Sequence, residues 1–404
     1  MFHLNLLAGA FTDSRPCPEI PGRAIALSLL LGEVAQVPSM LQLQAETELS
    51  QWQRWVGYLG RISDDALNYV SERMDPDKLR RGAAWINRKL KRGKAFEGNK
   101  VNGLLTLSLD ANEQFNSDHR SCADCLTREI TTKDASGQPV THLQYYHQQV
   151  YAQMSGPKLN VILDVEPMRQ GEEECAAALR LLARLRDNYG PRFFDVVAVD
   201  AWYSNGPFLK AAVQMGWPVV AVLKQERYDI YKETLALSKG PPTSTVERAG
   251  RKVEIWDLPS MTLSDAYPGP VRVVRARESW RQRQRIGRKW VSQDKEENWI
   301  WIVAGDLEGY AGSVIRDLGH LRWKIENNAF NELTQSWSLT HCAHHHPVSI
   351  QVLLWIKIMA FTLFHAFVIL HGKLLRLGKA TFQELRKRIY RSLLAGEAAP
   401  LPSG

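Results

Sequence analysis

"FFDVVAVD", residues 193–200, is a short, nearly continuous apolar run that ends on a carboxylate. A run without alternation is the pattern of a strand buried on both faces, as in a parallel sheet covered by helices. Working outward, EEECAAALRLLARLRDNY (172–189) reads as a helix, a second helix begins near Pro207, and PVVAVLK (218–224) repeats the two-sided apolar pattern. Upstream, LLTLSL (104–109) runs into Asp110, and THLQYYHQQVYAQ (141–153) and LNVILDV (159–165) follow. The order is three strands, helix, strand, helix, strand.

That order matches an α/β, RNase H-like core, a mixed five-stranded sheet with flanking helices. Three antiparallel strands are extended by two parallel ones through right-handed crossovers. In this topology the first strand lies beside the fourth. Asp110 closes the first and Asp200 the fourth, so carboxylates 90 residues apart in sequence are expected to stand together at one edge of the sheet.

Residues 225–313 break the pattern. They are rich in β-type and aromatic residues with turn signals GPP (240–242) and YPGP (267–270), and they read as a β-rich insertion. Beyond them comes HLRWKIENNAF (320–330), where Leu321, Ile325, Ala329 and Leu333 recur every four residues as the buried stripe of an amphipathic helix. Arg322 and Glu326 project together at its margin. Alone they would be an i,i+4 ion pair worth ~0.3–0.5 kcal/mol. In this topology Glu326 can return to the sheet as a third carboxylate.

A chain of 404 residues exceeds the roughly 250–300 at which single cores stop growing, so two or three lobes are expected. Lys plus Arg outnumber Asp plus Glu by 51 to 43, and the excess is clustered. Residues 80–94 hold seven basic side chains and no acid: Arg80, Arg81, Arg88, Lys89, Lys91, Arg92 and Lys94. Residues 272–289 hold eight, with only Glu278 among them. Two such runs favour a nucleic acid partner over a merely solvated face. In the second run Arg281, Arg283, Arg285, Arg288 and Lys289 are the expected DNA contacts, with Trp290 placed to stack on an unpaired base. The expected division is a helical, DNA-binding domain over 1–100, the first part of the core over 101–224, the β-rich insertion over 225–313, and the rest of the core with C-terminal helices over 314–404.

Five scattered cysteines argue against a secreted disulfide framework. VSIQVLLWIKIMAFTLFHAFVIL (348–370) is apolar enough to suggest a membrane span, but Lys357, Gln351 and His365 make a buried helix the better reading. A cytoplasmic protein without a membrane partner is expected.

Three convergent carboxylates suit phosphodiester chemistry. Hard oxygen ligands hold Mg²⁺ or Mn²⁺, and a pair of ions ~3.5–4 Å apart can activate the attacking oxygen and neutralise the leaving one. Arg322 would screen the cluster and orient Glu326 or a phosphate. On "SLDANEQF", "LDVEPMRQGEEE", "VVAVDAWYSNGPFLKAA" and "LRWKIENNAFNEL", most of the chain resembles the DDE transposases of bacterial insertion sequences, the cut-and-paste group whose core is interrupted by a β-rich insertion. The group's tail signature is Tyr, two residues, Arg, three residues, Glu, six residues, Lys. Arg322 and Glu326 fit it, while Gly319 and Leu333 stand at the Tyr and Lys positions, and Ala111 and Asn112 depart from the usual residues after the first Asp. The resemblance implies Asp110, Asp200 and Glu326 as metal ligands and catalytic residues with Arg322. It also implies double-stranded DNA, both element ends and target, as partner, and a homodimer on DNA. The alternatives are an RNase H-like nuclease without strand transfer and a silent, domesticated DNA-binding protein.

Asp164 and Glu166 also end a strand, but an edge strand away from Asp200, and read as structural. Cys122 and Cys125 form a CxxC without a second CxxC or compact His pair, so zinc is not expected there. The tract HCAHHH (341–346) reads as a polar loop, and Trp299 and Trp301, alternating with Ile300 and Ile302, read as core.

Overall fold

A computed structural model describes residues 9–226, 228–287, 289–372 and 381–395. Five helices open the described chain: α1 (Gly22–Ala35), α2 (Met40–Glu46), α3 (Ser50–Val56), α4 (Asp64–Ser71) and α5 (Pro76–Arg92). Pro38 falls in the break between α1 and α2, whose axes bend by 104°. Next come β1 (Thr106–Ser117), β2 (Leu126–Lys133), β3 (Pro139–Ser155), β4 (Val161–Pro167), α6 (Glu174–Tyr189), β5 (Val196–Val199), α7 (Gly206–Gln214) and β6 (Val219–Val222). β1 runs antiparallel to β3 and parallel to β5, and β5 runs parallel to β6. Every side chain of β5 and β6 is buried, as continuous apolar runs require. The strand that apolar patterning missed is β2, LTREITTK, whose side chains mostly face solvent. It pairs with the first half of β3, and β4 pairs with the second half.

The β-rich segment supplies α8 (Asp229–Leu237), β7 (Ser244–Arg248), β8 (Arg251–Ser264), β9 (Tyr267–Ile286) and β10 (Lys289–Ala304). Its strands form an antiparallel meander whose last member pairs with β6. Among the described residues one mixed sheet of ten strands therefore runs β2-β3-β1-β5-β6-β10-β9-β8-β7, with β4 beside β3. Past Ser279 the strands β9 and β10 pair only with each other, forming a two-stranded arm.

The chain closes with α9 (Gly312–Leu321), a π-helical stretch Ile325–Phe330, α10 (Asn331–Trp337), α11 (Pro347–His371) and α12 (Phe382–Ala395). The stripe of Leu321, Ile325, Ala329 and Leu333 is buried, but the helix is not regular. A uniform α-helix would turn Phe330 well away from Ile325. The wider π turn brings both to the core, with the Phe330 ring 5.2 Å from that of Tyr151 on β3. The apolar helix α11 is long enough to cross a membrane, yet most of it is buried against α1, α4, α5 and β4. Its Lys357 Nζ donates to both oxygens of Glu33 on α1, at 2.7 and 2.8 Å.

Asp164 and Glu166 are spent on holding α6 and α5 against β4. Arg184 donates to Asp164 at 2.9 and 3.0 Å and also bonds Glu166, Arg180 reaches Glu166 at 2.8 Å, and Arg80 Nε lies 3.4 Å from Asp164. Removing one partner of such a buried set strands the other charges. Asp164→Ala is expected to cost about 3–5 kcal/mol in urea unfolding. The milder Asp164→Asn, which keeps the shape, should cost less in the same measurement; a loss as large as that of Asp164→Ala would show that the charge alone holds the set.

Candidate active site

The register of two parallel strands builds the site. Ser108 on β1 pairs with Ala198 on β5, so Asp110 and Asp200, each two residues further, stand side by side where β5 ends. Asp110 does not close its strand as expected: β1 runs on to Ser117, with Asp110 paired to Tyr151 of β3, because β3 extends well beyond the short β5. Parallel neighbours lie about 4.8 Å apart, which sets the separation of the two backbones. Asp200 caps a short 3₁₀ turn, accepting from the Trp202 N–H at 2.8 Å, and this leaves the Trp202 indole 59% exposed beside it.

The segment after α9 lies over this edge. Ser108 Oγ donates to the Leu321 carbonyl at 3.4 Å, and the Phe330 contact with Tyr151 anchors the π turn above the strand that pairs with Asp110. Arg322, 5% exposed, donates through one nitrogen to Asp110 Oδ2 at 3.1 Å and to Glu326 Oε1 at 2.5 Å. Glu326 itself is 47% exposed. The pair seen in the sequence is thus a three-centre bridge joining Glu326 to the first Asp.

A fourth carboxylate completes the cluster. Glu174, in the first turn of α6, accepts from the Tyr203 hydroxyl and faces Asp200 and Asp110. Sequence reading missed it because three consecutive glutamates look interchangeable. Only tertiary packing turns Glu172 toward Arg180 and Glu174 inward. Burial pushes the Asp110 carboxyl up to about 8; Arg322 pulls it down, and Asp200, Glu326 and Glu174 push it further up. Burial also raises Glu174, opposed by Tyr203. The site therefore carries more negative charge than its one arginine offsets.

The departures at Gly319 and Leu333 have packing reasons. A Cβ at Gly319 would sit 2.2 Å from Trp301 Nε1, so α9 lies on the β10 indole and a larger side chain has no room. Leu333 is fully buried in the core.

The two basic runs fare differently. On α5, Arg88 donates to the Asn188 carbonyl at 2.6 Å and Lys91 to the Arg192 carbonyl at 2.6 Å, while Arg80 bridges Asp77 and Asp164. Arg88 thus docks on the last turn of α6, where positive charge is favoured, Lys91 on the loop that follows it, and Arg80 on carboxylates. Arg81, Lys89, Arg92 and Lys94 stay exposed. On the arm, Arg281, Arg283 and Arg285 alternate along one face of β9, opposite Asp294, Ser292 and Trp290 of β10. All three are exposed, as is Trp290, and the Arg283 guanidinium lies 5.5 Å from its ring. Arg288 and the side chain of Lys289 lie outside the described residues.

The sequence reading found no histidine pair to accompany Cys122 and Cys125. The missing histidine pair exists, contributed by His147 on β3 and by His345 from the loop before α11, and the four ligating atoms lie within 4.8 Å of one another. Residues this far apart in sequence meet only through the fold.

A mixed sheet with flanking helices and a knot of carboxylates where β5 ends beside the longer parallel strand β1 defines an α/β protein with an acidic site. Its family follows from comparison: the transposase DDE domain matches residues 131–363, more than half of the chain, and the protein belongs to that family. The matched stretch holds Asp200, Arg322 and Glu326, and Asp110 precedes it. No curated protein matches the chain. Among solved structures, the cryo-EM structure of a piggyBac transposase synaptic complex with hairpin DNA is similar with a TM-score of 0.41 and 12% identity, over 98% of this chain and 82% of that one.

Proposed function

We propose that this protein is the DNA transposase of a bacterial insertion sequence. It binds the ends of its element as a homodimer in the cytoplasm, hydrolyses the phosphodiester at each end, and joins the freed 3′-hydroxyls to target DNA. The observation that carries this reading is the gathering of Asp200 and Glu326 about Asp110, with Arg322 bridging Asp110 and Glu326, in a chain of the DDE family. Residues 101–224 and 314–404 are read as an RNase H-like catalytic core, 225–313 as its insertion and 1–100 as a DNA-binding domain.

The donor set fits divalent cations. It consists of hard oxygens, and the Asp110 carboxyl, raised chiefly by burial and further by Asp200, Glu326 and Glu174, stands among carboxylates that a cation would offset. Asp110, Asp200 and Glu326 would hold Mg²⁺ or Mn²⁺, with Glu174 as neighbour. When bound, such ions supply Lewis-acid activation of the attacking oxygen and charge for the leaving one. Arg322 orients Glu326 against Asp110, and its buried guanidinium favours the extra negative charge of a pentavalent phosphorane. A DNA fragment carrying the element ends, incubated with protein, Mg²⁺ and target plasmid, should yield end cleavage and joined products. Cleavage without joining would indicate a plain nuclease, and binding without cleavage a silent relative.

The arm supplies backbone contacts, on the strength of three exposed arginines on one face. Each phosphate contact gives a slope of log affinity on log salt of about −0.9, so replacing Arg281, Arg283 and Arg285 with Gln should flatten it by up to roughly 2.7 units. An unchanged slope would move DNA binding to Arg81, Lys89, Arg92 and Lys94.

A further inference from the structure

We infer that Cys122, Cys125, His147 and His345 bind one zinc ion in a closed, structural site that staples the loop before α11 to the end of β1. The inference stands apart from the transposition reading. Cys122 Sγ lies 3.5 Å from Cys125 Sγ and 3.2 Å from His147 Nε2. Cys125 Sγ lies 3.3 Å from His147 Nε2 and 3.4 Å from His345 Nε2. Zinc with bonds of about 2.3 Å to sulfur and 2.0–2.1 Å to nitrogen sets tetrahedral neighbours about 3.3–3.8 Å apart, so the cluster has the dimensions of a Cys₂His₂ site. At 3.5 Å the two thiols are free and not joined in a disulfide, whose S–S bond is about 2.05 Å.

The surroundings are those of a built site. The Cys125 N–H donates to the Cys122 carbonyl at 3.2 Å, closing the CxxC turn, and the Cys122 N–H donates to Cys125 Sγ at 3.2 Å. Phe115 walls the cluster, its ring 5.1 Å from that of His147 and 5.6 Å from that of His345. Two soft sulfurs and two imidazoles select zinc over the oxygen-seeking ions of the acidic site. Four protein ligands leave no open position, which assigns a structural role.

The consequence concerns Glu326. Phe115 is five residues beyond Asp110 on β1 and pairs with His147, so the cluster lies roughly 17 Å along the strand from Asp110. His345 follows α10 and the π turn, and its neighbour His344 holds Glu72 of the α4 C-cap at 2.7 Å. Zinc would thus tie the segment carrying Glu326 to the strand carrying Asp110 from the far side of the site.

Full-length protein made with zinc in the medium and dialysed without chelator is expected to hold one zinc per chain by mass spectrometry. Apoprotein reloaded with Co²⁺ should show the intense visible absorption of tetrahedral cobalt–thiolate, displaced by zinc. The double variant Cys122→Ser/Cys125→Ser and the single variant His345→Ala should lose the stoichiometric metal, while Cys342→Ser and Asp110→Asn retain it. If the cysteine variants fail to fold, the wild-type cobalt spectrum still decides. Wild-type protein with substoichiometric zinc after loading, no cobalt–thiolate band, or a Cys122–Cys125 disulfide overturns the assignment.

Discussion

Asp110→Asn, Asp200→Asn and Glu326→Gln are each expected to slow DNA end cleavage by at least ~10³-fold, because each removes a charged ligand whose ion supplies several kcal/mol to a charged transition state. The substitutions change volume little, so protein yield and DNA affinity at fixed salt should stay near wild type. Glu326 is half exposed and its replacement should leave the melting temperature nearly unchanged. Asp110 is different, since it is buried among other carboxylates, and Asp110→Asn should raise the melting temperature in the absence of metal. Nicking rates measured on folded protein under single-turnover conditions decide the matter. Activity within tenfold of wild type in any of the three would remove that residue from the catalytic set.

The second large effect is on pH. An Asp110 carboxyl held at about 8, against its ordinary 3.8, keeps in the folded state a proton that the unfolded chain has lost. Between those two values the folded state binds more protons, so metal-free stability should fall as pH rises, by at most about 1.4 kcal/mol per unit, and level off above about 8. Ion binding must displace that proton, so apparent Mg²⁺ affinity should climb about tenfold per unit through the same window and then flatten. Melting curves of wild type and Asp110→Asn, with EDTA and with Mg²⁺, from pH 5 to pH 9, test both signs. A wild-type Mg²⁺ shift independent of pH, or an Asp110→Asn protein with the same slope as wild type, would sink the idea. Arg322 is the chain's own counterion in this balance, and its burial means that its loss would push Asp110 higher still.

Much of the arrangement was legible in one dimension because it rests on local patterns. The two-sided apolar runs at 193–200 and 218–224 mark strands buried on both faces, and the order of strands and helices alone places the strands of Asp110 and Asp200 as neighbours. The four-residue stripe of Leu321, Ile325, Ala329 and Leu333 marks a docked helix with Arg322 and Glu326 at its margin. Lys357 inside an apolar helix marks burial, and Glu33 is its partner.

What only the tertiary structure decided depends on which side chains meet from distant segments, and no periodicity records that. β2 stayed hidden because a strand with mostly solvated side chains has no apolar face to alternate. The basic run on α5 looked uniformly available, but helix geometry turns Arg80, Arg88 and Lys91 onto the core and leaves Arg81, Lys89, Arg92 and Lys94 outside. Glu174 became a neighbour of Asp110 and Asp200 through the docking of α6, and the π turn that carries Glu326 arose from packing Phe330 on Tyr151. Cys122 and Cys125 acquired His147 and His345 from strand and loop 22 and 220 residues away from Cys125, because β3 brings one back beside β1 and the loop before α11 crosses to the other.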